Sequence, residues 1–282
     1  MKMYMEKIKI ITDSTADLSK EIYDKYDIEV LPLLINFGEE SYLDGVEINP
    51  NKVFERIEKD NILPTTAQVT PNRFIESYKK YLNEGYKIIS IHMSSAMSGT
   101  YQSACIAKET LETKDIAVID SQNVTAALGI LVIKAAKLRE KGYDIEQMEE
   151  ELNNIKEKIK VSIYFNSLEY LVRGGRISKT VGIVGGILGI KLILEIKHGL
   201  MSVKDKIRGN KKSIKKIISD LERANLDEDV PVILIDVNNI EIKGALKDYM
   251  KINNVKFVEC PVGSSVSIHS GPGCCGVVFF NK

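Results

Sequence analysis

The pattern of apolar and polar positions divides the first half of the chain into alternating strands and helices. Short apolar runs typical of buried strands occur at residues 8–11, 28–35, 87–92 and 116–119. Between them, helical spacing and capping signals predict helices over residues 17–26, 50–60, 70–85, 99–111, 125–141 and 145–158. This alternation is typical of a mainly parallel sheet with helices on both of its faces.

Local signals predict where two of these helices begin and which helices are exposed. Asp17 is predicted to cap the first helix, and Thr70 places a capping hydroxyl before Pro71 at the first helical position of the third. The helices over residues 125–141 and 145–158 contain many Lys and Glu residues. We therefore expect these two helices to lie on the outside of the protein, in contact with solvent.

The second half of the chain has a different arrangement of elements. Strands are predicted at residues 161–165, 191–196, 200–204, 230–236, 255–259 and 275–280, with helices near 210–224 and 240–252. A chain of 282 residues exceeds the usual size of a single core. We predict an α/β protein of two domains. Residues 1–159 form a three-layer α/β/α domain with a mainly parallel sheet, and residues 160–282 form a two-layer α/β domain with a mixed sheet.

Composition and charge narrow the classes of partner. Lys plus Arg and Asp plus Glu both number 39, so no overall field attracts nucleic acid or an acidic membrane. The four cysteines lack both zinc spacing and the density of a disulfide scaffold, which predicts reduced thiols. No signal segment precedes the first strand, so we expect a cytoplasmic protein. The most apolar stretch, residues 181–190, contains four glycines and is too short to span a bilayer, and we interpret it as close packing.

Three loops combine hydroxyl side chains with flexible backbone, at residues 64–68, 94–102 and 268–273. The first two lie at or just before predicted helix starts, where free backbone N–H groups and the helix dipole favour an anion. In the third, His269 stands beside a Gly-Pro-Gly turn that allows a ligand to approach closely. If the fold brings them together, these loops form a small uncharged cradle for a carboxylate or a phosphate. The alternative is that the serines only cap helices.

Two basic segments are candidates for binding an anionic group or an acidic partner surface. Arg173 and Arg176 flank a Gly-Gly bend, and a dense run of lysines and arginines extends from Lys204 to Lys216. The alternatives are a helix C-terminus with basic residues facing the dipole, and an ordinary solvated surface.

In their order and number, these motifs resemble those of the DegV family of bacterial lipid-binding proteins, which includes the fatty-acid-binding subunits of fatty acid kinase. The resemblance covers nearly the whole chain, and further matching segments are residues 12–17, 120–121 and 174–178. It implies one long-chain fatty acid buried between or beneath two α/β domains, and no other cofactor or metal. By the same resemblance, the carboxylate contacts are Thr66, Ser95 and His269, with Thr65, Ser94, Ser98 and Gly99 as near neighbours.

The resemblance also implies a partner. Family members of the kinase type present the fatty acid to a separate ATP-using kinase subunit, which forms the acyl phosphate, so this chain is expected to be a lipid-binding subunit without catalytic residues. The residues expected to dock the kinase are Arg173, Arg176, Arg208 and Lys212. A nucleic-acid partner and a membrane span are not expected, whereas transient contact with a membrane surface remains open.

Two other functions compete with this interpretation. The first is a lipid esterase or acyltransferase, with Ser95 as nucleophile, His269 as base and either Asp13 or Asp120 as the orienting acid. The sequence around Ser95 lacks the nucleophile-elbow pattern that would support it. The second is binding of a phosphate ligand at the same loops, with the help of Arg176.

Overall fold

Four parallel strands form the first sheet of the computed structural model, which describes residues 6–177 and 190–282. The strands are β1 (Ile8–Asp13), β2 (Ile28–Leu31), β6 (Lys87–His92) and β7 (Ile116–Asp120), and they lie in the order β2-β1-β6-β7. Their carboxyl ends meet at one edge, where ligands of open parallel sheets usually bind. Ser178 and residues 181–189 of the glycine-rich stretch lie outside the described residues.

Helices cover both faces of this sheet. They are α1 (Lys20–Lys25), α3 (Pro71–Asn83), α4 (Thr100–Leu111), α5 (Ala126–Glu140) and α6 (Ile145–Ile155). Helix α2 (Pro50–Asp60) lies elsewhere, because its buried Val53 belongs to a separate apolar cluster with Ile35 and Phe37. The α3–α4 pair packs against β6, and so does the α5–α6 pair. The predicted three-layer arrangement with a parallel sheet is confirmed.

The second sheet is mixed and has six strands, as expected. They are β8 (Ile159–Phe165), β9 (Ile190–Lys197), β10 (Leu200–Arg208), β11 (Val232–Asp236), β12 (Phe257–Pro261) and β13 (Cys275–Phe280), in the order β10-β9-β8-β13-β11-β12. Only β11 and β12 pair in parallel. The helices that the structure describes in this half are α7 (Glu169–Arg173), α8 (Asn210–Glu222), α9 (Ile240–Ile252) and α10 (Ser264–Ser270). Among residues 6–177 and 190–282, no helix combines the length and the hydrophobicity needed to cross a bilayer.

Helix α5 lies between the two sheets, so the expectation that it is a solvated outer helix was wrong. It contacts β1 and β6 of the first sheet and β8, β11 and β13 of the second, and every residue from 126 to 133 is buried. Its charged residues are confined to the final two turns, whereas the preceding turns are apolar on all sides, as in a core helix. Because α5 packs against both sheets, the domain boundary between residues 159 and 160 stays a prediction.

A small third sheet was not expected. Its antiparallel strands are β3 (Leu34–Phe37), β4 (Glu40–Leu43) and β5 (Thr65–Ala67), in the order β4-β3-β5. The prediction of one strand over residues 28–35 was wrong, because the chain leaves the first sheet at Pro32, which has no N–H to donate to a ladder. The third sheet matters for the site because β5 carries Thr65 and Thr66.

Two further local predictions were wrong. Asp17 does not cap α1, which begins at Lys20; it ends a short 3₁₀ turn in the left-handed conformation and is buried. The segment before the Gly-Pro-Gly turn is not a loop, because residues 264–270 form α10. In both places, contacts between distant parts of the chain override the local signals.

Candidate functional site

A cavity of about 330 Å³ lies between the sheets and beside the start of α5. Most of the side chains that line it are apolar, and they come from both halves of the chain; examples are Met93, Met97, Val124, Ile163, Phe165 and Met201. A lining of this kind suits a hydrocarbon chain, because burying each methylene is favourable.

One end of the cavity is polar and is built by two distant residues. Thr66 on β5 and His269 on α10 also line the cavity, and the Thr66 Oγ1 atom lies 2.9 Å from the His269 Nε2 atom. Ser98 and Gly99, just before α4, line the same cavity, and Gly99 lies against the side chain of Gln68. Hydroxyls, an imidazole and the N-terminus of a twelve-residue helix are therefore brought together.

The imidazole of His269 is neutral at physiological pH. Burial lowers its pKa, and the positive charge of Arg176 lowers it further, to about 4. The Nδ1 atom is buried without a hydrogen-bond partner among the described residues, and a Cβ atom added at Gly174 would lie 2.2 Å from it. The close approach of Gly174 therefore fixes the ring, whose Nε2 atom is directed at Thr66.

Arg176 belongs to the cavity rather than to an outer docking surface alone. It is half-buried and lines the cavity, and its guanidinium donates to the backbone carbonyl of Gly174. The expectation of an uncharged cradle was therefore wrong, because the guanidinium of Arg176 adds a positive charge to the lining of the cavity.

Ser95 is not brought to this site. Its side chain is exposed, its Oγ atom donates to Asp120 Oδ2 at 2.5 Å, and its N–H donates to Asp120 Oδ1 at 3.2 Å. Ser94 is buried but donates to the carbonyl of Gly199 at 2.7 Å. Neither serine lines the cavity, and neither does the exposed Thr65. Of the seven expected contact residues, the structure brings together Thr66, Ser98, Gly99 and His269.

The other three residues expected to dock a partner lie on the surface. Arg173 on α7 pairs with Glu169 at 2.5 Å, Arg208 ends β10 and Lys212 lies in the first turn of α8. All three are exposed, and none lines the cavity.

The triad required by the esterase alternative is not assembled. Ser95 is bonded to Asp120, whereas the Nε2 atom of His269 faces Thr66.

Asp13, the other candidate acid of that triad, belongs to a separate buried network. The Nδ1 atom of His92 lies 3.1 Å from Asp13, its Nε2 atom lies 2.6 Å from Ser90, and Tyr78 donates to Ser90 at 2.7 Å. All four residues are fully buried and none lines the cavity, so this network stabilises the first sheet.

Several polar residues that line the cavity were not among the predicted contacts, namely Thr15, Gln68, Thr125 and Ser265, although Gln68 belongs to the hydroxyl-containing loop at residues 64–68. Ser265 precedes His269 by four residues on α10, so both lie on one face of that helix. Helical spacing would have identified Ser265 if the segment had been interpreted as a helix.

Comparison with known proteins gives consistent results. The family model described as "Uncharacterised protein, DegV family" matches residues 7–282. The DegV domain-containing protein CPE1310 of Clostridium perfringens is 54% identical over 278 residues, which are 99% of this chain and 100% of that protein. The DegV domain-containing protein CA_C0701 of Clostridium acetobutylicum is 49% identical with the same coverage.

Solved structures with the same fold include proteins named for fatty-acid binding. A fatty-acid-binding DegV family protein from Thermus thermophilus has a TM-score of 0.89 at 27% identity, covering 98% of this chain and 100% of its own. DegV from Bacillus subtilis, a fatty acid binding protein, has a TM-score of 0.85 at 30% identity with the same coverage. A stearic-acid-binding protein from Eubacterium ventriosum has a TM-score of 0.84 at 26% identity, covering 98% of each chain. With a family model that spans nearly all of its length, the chain belongs to the DegV family.

Proposed function

We propose that this protein binds one long-chain fatty acid, with the tail in the cavity and the carboxylate at the end formed by Thr66 and His269. The observation that carries the proposal is the apolar cavity between the sheets, which meets a hydroxyl and a neutral imidazole bonded to each other at 2.9 Å. The fatty-acid-binding relatives from Thermus thermophilus and Bacillus subtilis share the fold and support the same conclusion.

The tail supplies most of the affinity. Each methylene that leaves water contributes roughly 0.8 kcal/mol to binding, before the cost of ordering the tail is subtracted. For a long acyl tail, burial in the cavity therefore contributes far more binding free energy than the contacts of the head group. The apolar lining residues come from both halves of the chain; Met93 and Ile235 are examples.

The polar end orients the carboxylate. The hydroxyls of Thr66 and Ser98 donate to its oxygens, and Gly99, which directly precedes the first turn of α4, lines the same cavity. A buried anion requires such donors, because an unpaired charge in an apolar site is costly. Arg176 supplies the compensating positive charge, while the neutral His269 holds Thr66 in place.

The protein acts as a carrier and the chemistry belongs to a partner. We infer that the bound carboxylate is presented to a separate ATP-dependent kinase subunit that forms the acyl phosphate, with Arg173, Arg208 and Lys212 on the docking surface and Arg176 beside the carboxylate. The cytoplasm is the proposed compartment, because all four cysteines are free thiols.

Native mass spectrometry of freshly purified protein tests the proposal. We expect a mass increase equal to one long-chain fatty acid, and about tenfold weaker retention in Thr66→Val, which keeps the side-chain shape and removes the hydroxyl. Ser95→Ala is the matched control: it removes a hydroxyl that lies outside the cavity, so retention should equal that of the parent. A protein that carries only phosphate, or no ligand after incubation with stearate, would refute the proposal.

A further inference from the structure

We propose that Asp44 is a positioning residue for the fatty-acid site: its side chain holds the N-terminal end of α10 and thereby sets the position of His269. This inference rests on the proposed function, because it concerns how the carboxylate end of that cavity is built.

Asp44 is buried and joins two distant parts of the chain. Its Oδ1 atom accepts from the N–H of Ser264 at 3.1 Å, and its Oδ2 atom accepts from the N–H of Ser265 at 3.3 Å. The same Oδ2 atom accepts from the Ser14 hydroxyl at 2.9 Å. Both side-chain oxygens are therefore used only as acceptors, in the way that a carboxylate is used.

Helix α10 has no cap of its own at this end. It contains seven residues and is preceded by Gly263, which has no side chain that could accept from the first N–H groups. The acceptors come instead from Asp44, and from Asp17, whose Oδ1 atom accepts from the N–H of Gly263 at 2.9 Å. A negative side chain at a helix N-terminus also interacts favourably with the helix dipole.

The position of this helix end controls the polar end of the cavity. Ser265 and His269 lie one turn apart on the face of α10 that lines the cavity. Because the whole helix is less than two full turns long, a shift of its first turn moves the His269 ring as well. A displacement of about 1 Å is enough to lengthen the bond between His269 and Thr66 beyond hydrogen-bonding distance.

Asp17 provides a matched control for Asp44. Its Oδ1 atom accepts from Gly263, and its Oδ2 atom lies 2.7 Å from the Thr125 hydroxyl, which can donate or accept. Burial raises the pKa of Asp17 well above its usual range, which favours the neutral form. An asparagine reproduces this pattern, with its oxygen on Gly263 and its amide on Thr125. At position 44 the amide of an asparagine would instead face a backbone N–H.

The experiment compares Asp44→Asn with Asp17→Asn in the full chain. Stearate retention is measured by native mass spectrometry, and the His269 ring is followed by ¹⁵N NMR. We expect Asp44→Asn to retain stearate about tenfold less well and Asp17→Asn to resemble the parent. In Asp44→Asn the His269 ring should also become protonated at a higher pH than in the parent, because it leaves its buried position; a merely structural role would not change this signal.

A second variant keeps the test decisive if Asp44→Asn does not fold. In Gly263→Ala the new Cβ atom would lie 2.6 Å from the Asp17 Oδ1 atom, so it pushes the same helix end outward without requiring an unusual backbone conformation. It should weaken stearate retention and alter the His269 signal.

Parental retention together with an unchanged His269 signal in the variants that fold would overturn the positioning role and leave the proposed function intact. Absence of stearate binding by the parent would instead overturn the proposed function.

Discussion

The His269 side chain illustrates how the surroundings of a single residue set its chemistry. Its ring is enclosed by Gly174 on one side and bonded to Thr66 on another, and burial and the charge of Arg176 together lower its pKa to about 4. An imidazolium at this position would donate from both nitrogens and could not accept from the Thr66 hydroxyl. The neutral ring is therefore compatible with both directions of that hydrogen bond.

The lowered pKa makes stability depend on pH in a defined direction. In the unfolded chain the histidine takes up a proton near pH 6.5, whereas in the folded protein it does so near pH 4, so the unfolded state binds more protons between these values. Stability should thus fall as the pH is lowered through this window, by about 2 kcal/mol between pH 7.5 and 5. Urea unfolding at both pH values measures it.

His269→Gln is the control for this prediction, since glutamine keeps a polar side chain that does not titrate. The carboxylates and the other two histidines are the same in both proteins, so only the contribution of His269 differs. An identical loss of stability in the parent and in His269→Gln would contradict the prediction.

At the scale of single residues, the sequence predicted which residue types form the site better than it predicted where their side chains point. The hydroxyl-rich loops were recognisable because their hydroxyl side chains stand beside glycine or proline, and Thr66, Ser98 and His269 do line one cavity. Side-chain direction inside a tight turn has no simple period, unlike that in a strand or helix. The turn formed by N–H groups of residues 97 and 98 on the Ser94 carbonyl directs Ser95 outward to Asp120.

At the scale of elements, α5 packs between the two sheets, and its N-terminal end lies beside the cavity. Its first half contacts strands of both sheets and packs closely against the turn after β1. Gly129 lies at the tightest point, since an added Cβ atom would be 2.6 Å from the Ala16 carbonyl oxygen and 2.7 Å from Leu18 Cδ2. The absence of a side chain at Gly129 therefore permits the contact.

Gly129→Ala should destabilise the protein by about 1 to 3 kcal/mol, because the backbone carbonyl cannot move aside cheaply. Gly244→Ala in α9 is the matched control: nothing lies within 4 Å of its added Cβ, so it should be neutral or gain up to about 1 kcal/mol from helix propensity. Denaturant unfolding measures both. Equal effects of the two substitutions would disprove the close contact at Gly129.

Most strands and helices followed from periodicity, and the failures have a common cause. The lysines near the end of α5 suggested an exposed helix, although the run from Ala126 to Ile133 is apolar on every side. The burial of α5 depends on a second sheet that is formed by residues after 159. Likewise, α10 is capped by the side chains of Asp17 and Asp44, which lie more than 200 residues away along the chain, and no local pattern can reveal such contacts.

For the whole molecule, the cavity couples the two sheets. Its walls include Met93 after the first sheet and Ile163 and Ile235 from the second, so a bound chain contacts both. The hairpin of β9 and β10 adds Ile196 and Met201, and its tip is held to the first half by the bond between Ser94 and Gly199. A ligand in this position is expected to stabilise both halves together.

Binding of a fatty acid in the cavity should therefore raise the melting temperature of the whole chain. With free fatty acid at about one hundred times its dissociation constant, the expected gain is about 2.7 kcal/mol, or a shift of about 5 °C for a chain of this size. Calorimetry of delipidated protein, with and without stearate, measures the shift, and octane-1-sulfonate serves as a short-chain control. A transition that splits, with only one part responding to stearate, would show that the cavity does not couple the halves.

The three methionines of the cavity wall affect the range of acyl-tail shapes that the cavity can accommodate. Met93, Met97 and Met201 are unbranched and can change rotamer at little cost, unlike the β-branched isoleucines that share the wall. A straight tail and a kinked one demand different contours at the same depth. Thioether side chains can adapt to either shape by rotating about their own bonds while the strands and α5 keep their positions. We therefore expect the cavity to accommodate both straight and kinked tails.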